Sequence, residues 1–458
     1  MIMKAMLVVG LLTWPTVILA DEAVPSRPAI HFDRWQEDWS VLANPAVPRE
    51  PLDDLKYMPL GPDAYLSLGA GLRERFETND AVNFGVNGAK PQEYVISRLE
   101  ANADLRWSGL QAFVQFQSDF APGKSVLTPV DQDRLDVEQA FLSYTTKIGD
   151  GTLRLRAGRQ QIAFDLQRFI SVRDGPNIRQ SYDALWADYE TGDWRLISFY
   201  SHPVQDRDLR VFDDYSSNHL TYGGVRAEYK ISEGSNISAI LSQFKQDHAH
   251  LLSASGAELR NILDLRYAGY AGGFDWDVEG MGQSGHIANE SIRAWAVGSR
   301  AGYTLSGITW TPRLGLQIDA ASGNGNSNGK TLGTFNPLFP NGYYVTLSGY
   351  TGYTNFIHVK PSLTIKPEPG LSATLAVAAQ WRETTADAVY TQPDIPVSGT
   401  AGRGGSYTGT YVQGRIDWQV TPYFATAIEA VRFQVASSIL QAGGHDGNYL
   451  GVEGRLGW

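Results

Sequence analysis

The sequence predicts an all-β fold: a transmembrane antiparallel β-barrel of about 18 strands. Three observations predict it. Apolar and polar residues alternate with a period of two through most of the chain from Tyr65 onward. Short connections between these stretches alternate with long ones. The last stretch, Leu450-Gly-Val-Glu-Gly-Arg-Leu-Gly-Trp458, ends its alternation on an aromatic residue.

The period of two is that of strands with one apolar and one polar face. Leu66, Leu68, Ala70 and Leu72 alternate with Ser67, Gly69, Gly71 and Arg73, and Val95 through Trp107 alternate with Arg98, Glu100, Asn102, Asp104 and Arg106. The same pattern recurs near 308–319, 356–366, 371–382 and 412–419. A soluble sandwich would also alternate, but its strands run to about 5–6 residues. Many stretches here run to about 10–14, the span of a tilted membrane strand. Aromatic residues such as Trp107, Tyr144, Tyr229, Tyr267, Tyr303, Trp310, Trp381 and Trp418 stand near strand ends, as an interfacial girdle requires.

The eighteen predicted strands begin near 65–76 and end at 448–458, with the thirteenth at 308–319 and the fourteenth at 353–367. Connections after even strands are short, such as Ser108-Gly109 and Thr421-Pro422. Most after odd strands are long, about 17 residues after the first, 22 after the fifth and 33 after the thirteenth. Short periplasmic turns opposite long external loops are the layout of bacterial barrels. An even strand count puts both barrel ends in the periplasm.

Composition narrows the class. The 43% hydrophobic and 19% charged residues exclude a disordered chain and a helical membrane protein. With no Cys, disulfides and thiolate metal sites are excluded. A net charge of −11 argues against nucleic acid as a partner. Residues 1–20 read as a signal peptide: Lys4 is followed by the apolar run Ala5 to Leu12, and Ala20 precedes Asp21-Glu22. Residues 21–64 lack a clean period and read as an N-terminal strap, periplasmic or lying in the lumen. Residues 65–458 are the barrel.

Several segments resemble the alginate export family, whose characterised member is an outer-membrane barrel exporting an acidic polysaccharide. They are Asp53-Asp-Leu-Lys-Tyr57 with Tyr65-Leu-Ser-Leu-Gly-Ala-Gly-Leu-Arg-Glu-Arg-Phe-Glu77, Leu155-Arg-Ala-Gly-Arg-Gln160 with Arg168 through Asp183, and Phe335-Asn-Pro-Leu-Phe-Pro340. The chain departs from the family after Asp183, where Ala184-Leu-Trp-Ala-Asp188 stands in place of a basic residue. The resemblance implies a monomeric channel in the outer membrane, surrounded by its lipid and inserted by the barrel assembly machinery. It implies passive passage of an acidic saccharide such as an alginate-like polyuronate, or a related anion. The alternative is a porin-like uptake channel for small carboxylates or other organic nutrients.

With the apolar face turned to lipid, the opposite face is dense with charge. Candidate pore-lining and substrate-binding residues are Arg73, Arg75, Arg98, Arg154, Arg156, Arg159, Arg173, Arg179, Arg226, Arg313, Lys360, Arg382 and Arg415, with Glu100, Asp174 and Asp183 as supporting acids. The planar guanidinium fork suits carboxylates because it donates two parallel hydrogen bonds. Most of these charges are expected to pair across strands, because buried charges need partners. Arg159, Arg173 and Arg179 recur in the central motif and are expected to gather there, held by Asp174 and Asp183. A barrel hydrolase would need a nucleophile and base or a dicarboxylate site. The chain carries no H-E-x-x-H, P-loop or Gly-x-Ser-x-Gly motif. His248 and His250 read as a loop pair. Asp275, Asp277 and Glu279 read as one lumen face of a strand. No catalytic residue, cofactor or metal site is expected.

Overall fold

The computed structural model describes residues 27–325 and 329–458. The signal peptide reading falls on residues 1–20, outside the described residues. Eighteen antiparallel strands close into one barrel: β1 Ala64–Asn79, β2 Gln92–Trp107, β3 Leu110–Phe120, β4 Asp133–Ile148, β5 Gly151–Gln160, β6 Tyr182–Thr191, β7 Trp194–Pro203, β8 Leu220–Ser232, β9 Ser235–His250, β10 Ser255–Ala271, β11 Phe274–Ile287, β12 Glu290–Thr304, β13 Arg313–Ala321, β14 Phe356–Glu368, β15 Leu371–Trp381, β16 Tyr407–Thr421, β17 Phe424–Val435 and β18 Gly447–Gly457. Each strand pairs with its sequence neighbour. The seam closes where β18 meets β1, with Gly457 opposite Gly71. Trp458 continues the ladder, exchanging backbone hydrogen bonds of 2.8 Å with Ala70 in both directions. Closure leaves no edge strand, so every spanning backbone group can pair within the ladder.

The alternation read from the sequence is the alternation of the wall. Leu142, Leu185, Leu241 and Leu375 point outward and are exposed, as a lipid-facing belt requires. Their neighbours of opposite parity point inward. Two-residue turns join the strands at one end, including Ser108-Gly109 and Pro422-Tyr423, with one exception at 305–312. The opposite end carries the long loops, above all 161–181, 322–355 and 382–406. Both ends of the barrel chain lie at the short-turn end.

Some boundaries differ from the reading. β1, β9 and β10 extend beyond the predicted apolar alternation, because polar residues continue the ladder above the apolar belt. His248 and His250 therefore lie in β9 and not in a loop. The thirteenth strand starts at Arg313: Trp310 and Thr311 adopt left-handed backbone and belong to the eight-residue turn. Residues 353–355, read as strand, complete the preceding loop.

Two loops fold inward and fill half the barrel. Phe164, Phe169 and Ile170 of loop 161–181, with Phe335, Phe339, Tyr344 and Tyr353 of loop 322–355, pack against inward residues of β6 to β14, among them Tyr182, Phe199, Tyr222, Phe244 and Phe356. Phe169 stands edge-on to Phe335 and Tyr353, with ring centroids 5.5 and 5.2 Å apart.

The N-terminal segment lies across the short-turn end. Arg34 donates to the carbonyls of Ala70 (3.1 Å) and Trp458 (2.6 Å). Arg106 of β2 donates to the carbonyls of Trp35 (2.7 Å) and Glu37 (2.9 Å). A small core of Trp39, Leu42, Val47 and Tyr65 anchors the segment.

Candidate functional site

The other half of the lumen, walled by β1 to β5 and β15 to β18, is lined by charge. Inward alternation places Arg73 and Arg75 on β1, Arg98 and Glu100 on β2, Glu138 on β4, Glu429 on β17, and Glu453 and Arg455 on β18. The central motif supplies Asp174 and Arg179 from loop 161–181. Asp174 is the hub. It accepts from Arg98 (2.7 Å), Arg179 (2.8 Å) and Arg455 (2.7 Å). Burial alone would raise its carboxyl, but Arg455, Arg179, Arg98 and Arg73 hold it well below the usual carboxylate range.

The same arginines fasten the loop backbone to the wall. Arg73 donates to the carbonyls of Asp174 (3.1 Å) and Pro176 (3.2 Å). Arg98 donates to those of Asn177 (2.6 Å) and Pro176 (2.9 Å). Arg73 pairs with Glu453 at 2.7 Å. Arg75 is shared among Glu77 (2.6 Å), Glu429 (2.8 Å) and the Tyr449 hydroxyl. Arg179 also pairs with Glu100, and Phe32 of the N-terminal segment lies 4.1 Å from its guanidinium.

Two chambers open on this half. The one at the long-loop end has a volume of about 820 Å³. It is lined by Tyr94, Tyr350 and Tyr449, and by Lys90, Lys124 and Arg173 against Glu77 and Asp131. The one at the short-turn end, about 560 Å³, is lined by Arg75, Arg415 and Arg455 against Asp174, Asp417 and Glu453. Tyr343 lines both. Its hydroxyl donates to the Gly175 carbonyl at 3.2 Å, and the Arg75 guanidinium sits 5.0 Å from its ring. A Cβ on Gly175 would lie 3.2 Å from that ring, so a side chain there would press on the contact between the chambers.

The candidate residues thus divide. Arg73, Arg75, Arg98 and Arg179 come together with Glu100 and Asp174. Arg415 joins their margin through Glu429 and Asp417 (2.8 Å). Arg159 lies apart, in β5, with a two-pronged bond to Asp183 (3.0 and 3.3 Å). Arg173 donates to Gln180 (3.5 Å) and to the Leu338 carbonyl (3.1 Å). Among the described residues no carboxylate lies within salt-bridge distance of it.

Arg156 is stacked among Trp35 (4.5 Å), Phe141 (5.1 Å) and Trp186 (5.6 Å). Arg154 is half-exposed, 3.7 Å from Asp188. Arg226 pairs with Asp165 (2.5 and 2.8 Å), and Arg313 with Asp275 (2.8 and 2.5 Å). Lys360 donates to the Val345 carbonyl at 2.6 Å and so holds loop 322–355. Arg382 stands just past β15, where it donates to the carbonyls of Thr400 (2.7 Å), Arg403 (2.6 Å) and Gly405 (2.8 Å), organising loop 382–406. Tyr343 and Glu429 were not singled out from the sequence. Glu429 has the inward parity of β17. Tyr343 lies in a loop, where no period points to it.

A closed, lipid-belted barrel with a loop-narrowed polar lumen is an outer-membrane channel. The structure is similar to OccAB1 of Acinetobacter baumannii, with a TM-score of 0.59 at 12% identity, covering 89% of this chain and 99% of that one. It is also similar to the outer membrane protein opdK of Pseudomonas aeruginosa (TM-score 0.55, 12% identity, 86% and 99% covered) and to a BenF-like porin of Pseudomonas fluorescens Pf-5 (0.58, 11%, 86% and 99%). At these identities the likeness is one of fold. No curated protein sequence matches the chain. The family model for alginate export matches residues 64–453, and the chain belongs to that family.

Proposed function

We propose that this channel passes an anionic saccharide of the alginate type, or a related organic anion, passively across the outer membrane, working as a monomer. The long loops face outward and the short turns face the periplasm. Arg173 carries the reading: a guanidinium at the long-loop chamber whose hydrogen bonds go to an amide and a carbonyl, free of any carboxylate among the described residues. Below it, acids and arginines alternate along the wall. Charge satisfied by neighbours lets an anion exchange partners without any one site holding it too tightly.

A second reading, uptake of small carboxylates, is favoured by one observation. The Tyr343–Gly175 contact stands between the two chambers, so a solute must be small or must displace Tyr343. Planar-bilayer recordings with graded oligouronates and with small carboxylates separate the two. Block that deepens with oligouronate length supports the saccharide. Block by monocarboxylates alone supports uptake. Indifference to both contradicts the anion reading.

A further inference from the structure

At the long-loop end of the barrel, β4 meets loop 204–219 in a cluster of acids. Carboxylate oxygens of Asp133, Asp136 and Asp214 all lie within 4.8 Å of one another. Two of the three are buried, Asp133 completely. Part of their hydrogen bonding is local. Asp136 accepts from the Asp214 amide (3.0 Å) and Asp214 from the Arg207 amide (2.7 Å). Asp133 Oδ1 accepts from the Leu135 amide at 3.3 Å. Its Oδ2, fully shielded from solvent, has no hydrogen-bond partner among the described residues.

The surroundings do not neutralise this charge. The nearest cation, Arg159, stands 3.6 Å from Asp136 but spends two hydrogen bonds on Asp183. Asp119, the register partner of Asp133 on β3, is also fully buried; its cation is Arg98, 3.8 Å away and on the far side from the cluster's loop, and neither of its carboxylate oxygens has a hydrogen-bond partner among the described residues. Converging buried carboxylates with a lone pair left over must either hold protons or share a cation.

We propose that Asp133, Asp136 and Asp214 bind a divalent cation, Ca²⁺, which pins loop 204–219 to the rim of the barrel. The donor set is all oxygen, as Ca²⁺ requires, and carboxylates from a strand and a loop allow the irregular geometry that Ca²⁺ tolerates and Mg²⁺ does not. The loop is already seated by Phe212, whose amide donates to the Leu135 carbonyl at 3.0 Å, so the ion would complete an existing contact. The three ligands are scattered over 82 positions, counting 133 through 214, so no spacing motif announces them.

The test uses the full-length barrel in detergent, stripped with a chelator and titrated with CaCl₂ or MgCl₂. Calorimetric Ca²⁺ binding, a raised melting temperature and slower tryptic cleavage after Arg207 and Arg210 are expected, with a weaker response to Mg²⁺. The double variant Asp133→Asn, Asp214→Asn should lose the Ca²⁺ response while still migrating as a folded, heat-modifiable band. Wild type that melts and is cleaved identically in chelator and in millimolar Ca²⁺ overturns the proposal. So does a Ca²⁺ response that survives in the folded double variant. If the double variant does not fold, Asp214→Asn alone carries the same comparison.

Discussion

The two halves of the lumen are built from the same wall and filled by opposite physics. Against β6 to β14, loops 161–181 and 322–355 bury phenylalanines and tyrosines in a close-packed core that excludes solute. Against β1 to β5 and β15 to β18, loop 161–181 instead lies on a lattice of arginines and carboxylates, with chambers of about 820 and 560 Å³ beside it. One loop serves both halves: Phe169 is embedded in the first, and five residues later Asp174 is the hub of the second. The difference teaches that one half of the lumen is filled by packing while the other keeps polar space, and under the proposed function that second half is the path, off-centre and fixed by a filled core.

The largest effects should come from breaking the anchors of each half. Arg98→Ala leaves Asp174, Asp119 and two loop carbonyls without their guanidinium. Removing one partner of such a buried pair costs about 3–5 kcal/mol. Guanidinium unfolding of the refolded barrel should register that loss. Bilayer conductance should rise as residues 174–177 leave the wall. Phe169→Ala should cost a similar 3–5 kcal/mol by opening a cavity, yet leave ion selectivity unchanged. If Phe169→Ala changes selectivity and Arg98→Ala does not, the division of labour between the halves is wrong.

Trp458→Ala tests the seam. It removes the terminal aromatic from the strand that closes on β1, and the ring that lies 4.4 Å from the Lys56 ammonium. Insertion into the outer membrane should fall, read as less heat-modifiable protein in outer-membrane fractions at equal expression.

Two smaller effects are set by pH. Asp174 has a depressed folded value, so its contribution to stability is present above its unfolded value, near 3.9, and is lost only as pH falls through the depressed one. The change in single-channel conductance caused by Asp174→Asn should therefore be the same at pH 7 and at about pH 5. Lys56, in the N-terminal segment, behaves in the opposite sense. Burial lowers its ammonium to about 7. Its charged form penalises docking fully below pH 7, and the penalty fades as pH rises toward the unfolded value near 10.4. Protease protection of residues 27–57 should increase between pH 7 and 10, and Lys56→Met should abolish the increase.

The wall was legible in the sequence because a period of two survives wherever one face meets lipid and the other does not. That fixed the strand number and the alternation of turn lengths. The interior was legible only in part. Parity identified Arg73, Arg75, Arg98 and Arg415 as inward, and the central motif drew attention to Asp174 and Arg179. Which acid each arginine meets depends on where loop 161–181 lands, and loops carry no period. The same reason hid Tyr343 between the two chambers. It also concealed that Arg159, Arg173 and Arg179, close in sequence, separate to Asp183, to Gln180 and Leu338, and to Asp174 with Glu100. The inward parity of Arg156 was correct, but nothing in its strand foretold the aromatic cage completed by Trp35.

The central claim is that the ionic half conducts anions past Arg173. The measurement that tests it most directly is the single-channel reversal potential in a KCl gradient, for wild type and Arg173→Ser, with and without added oligouronate. The account predicts anion preference in the wild type, a shift of the reversal potential toward zero in the variant, and weaker oligouronate block. A cation-selective wild type, unaffected by uronates and unchanged by Arg173→Ser, would contradict it.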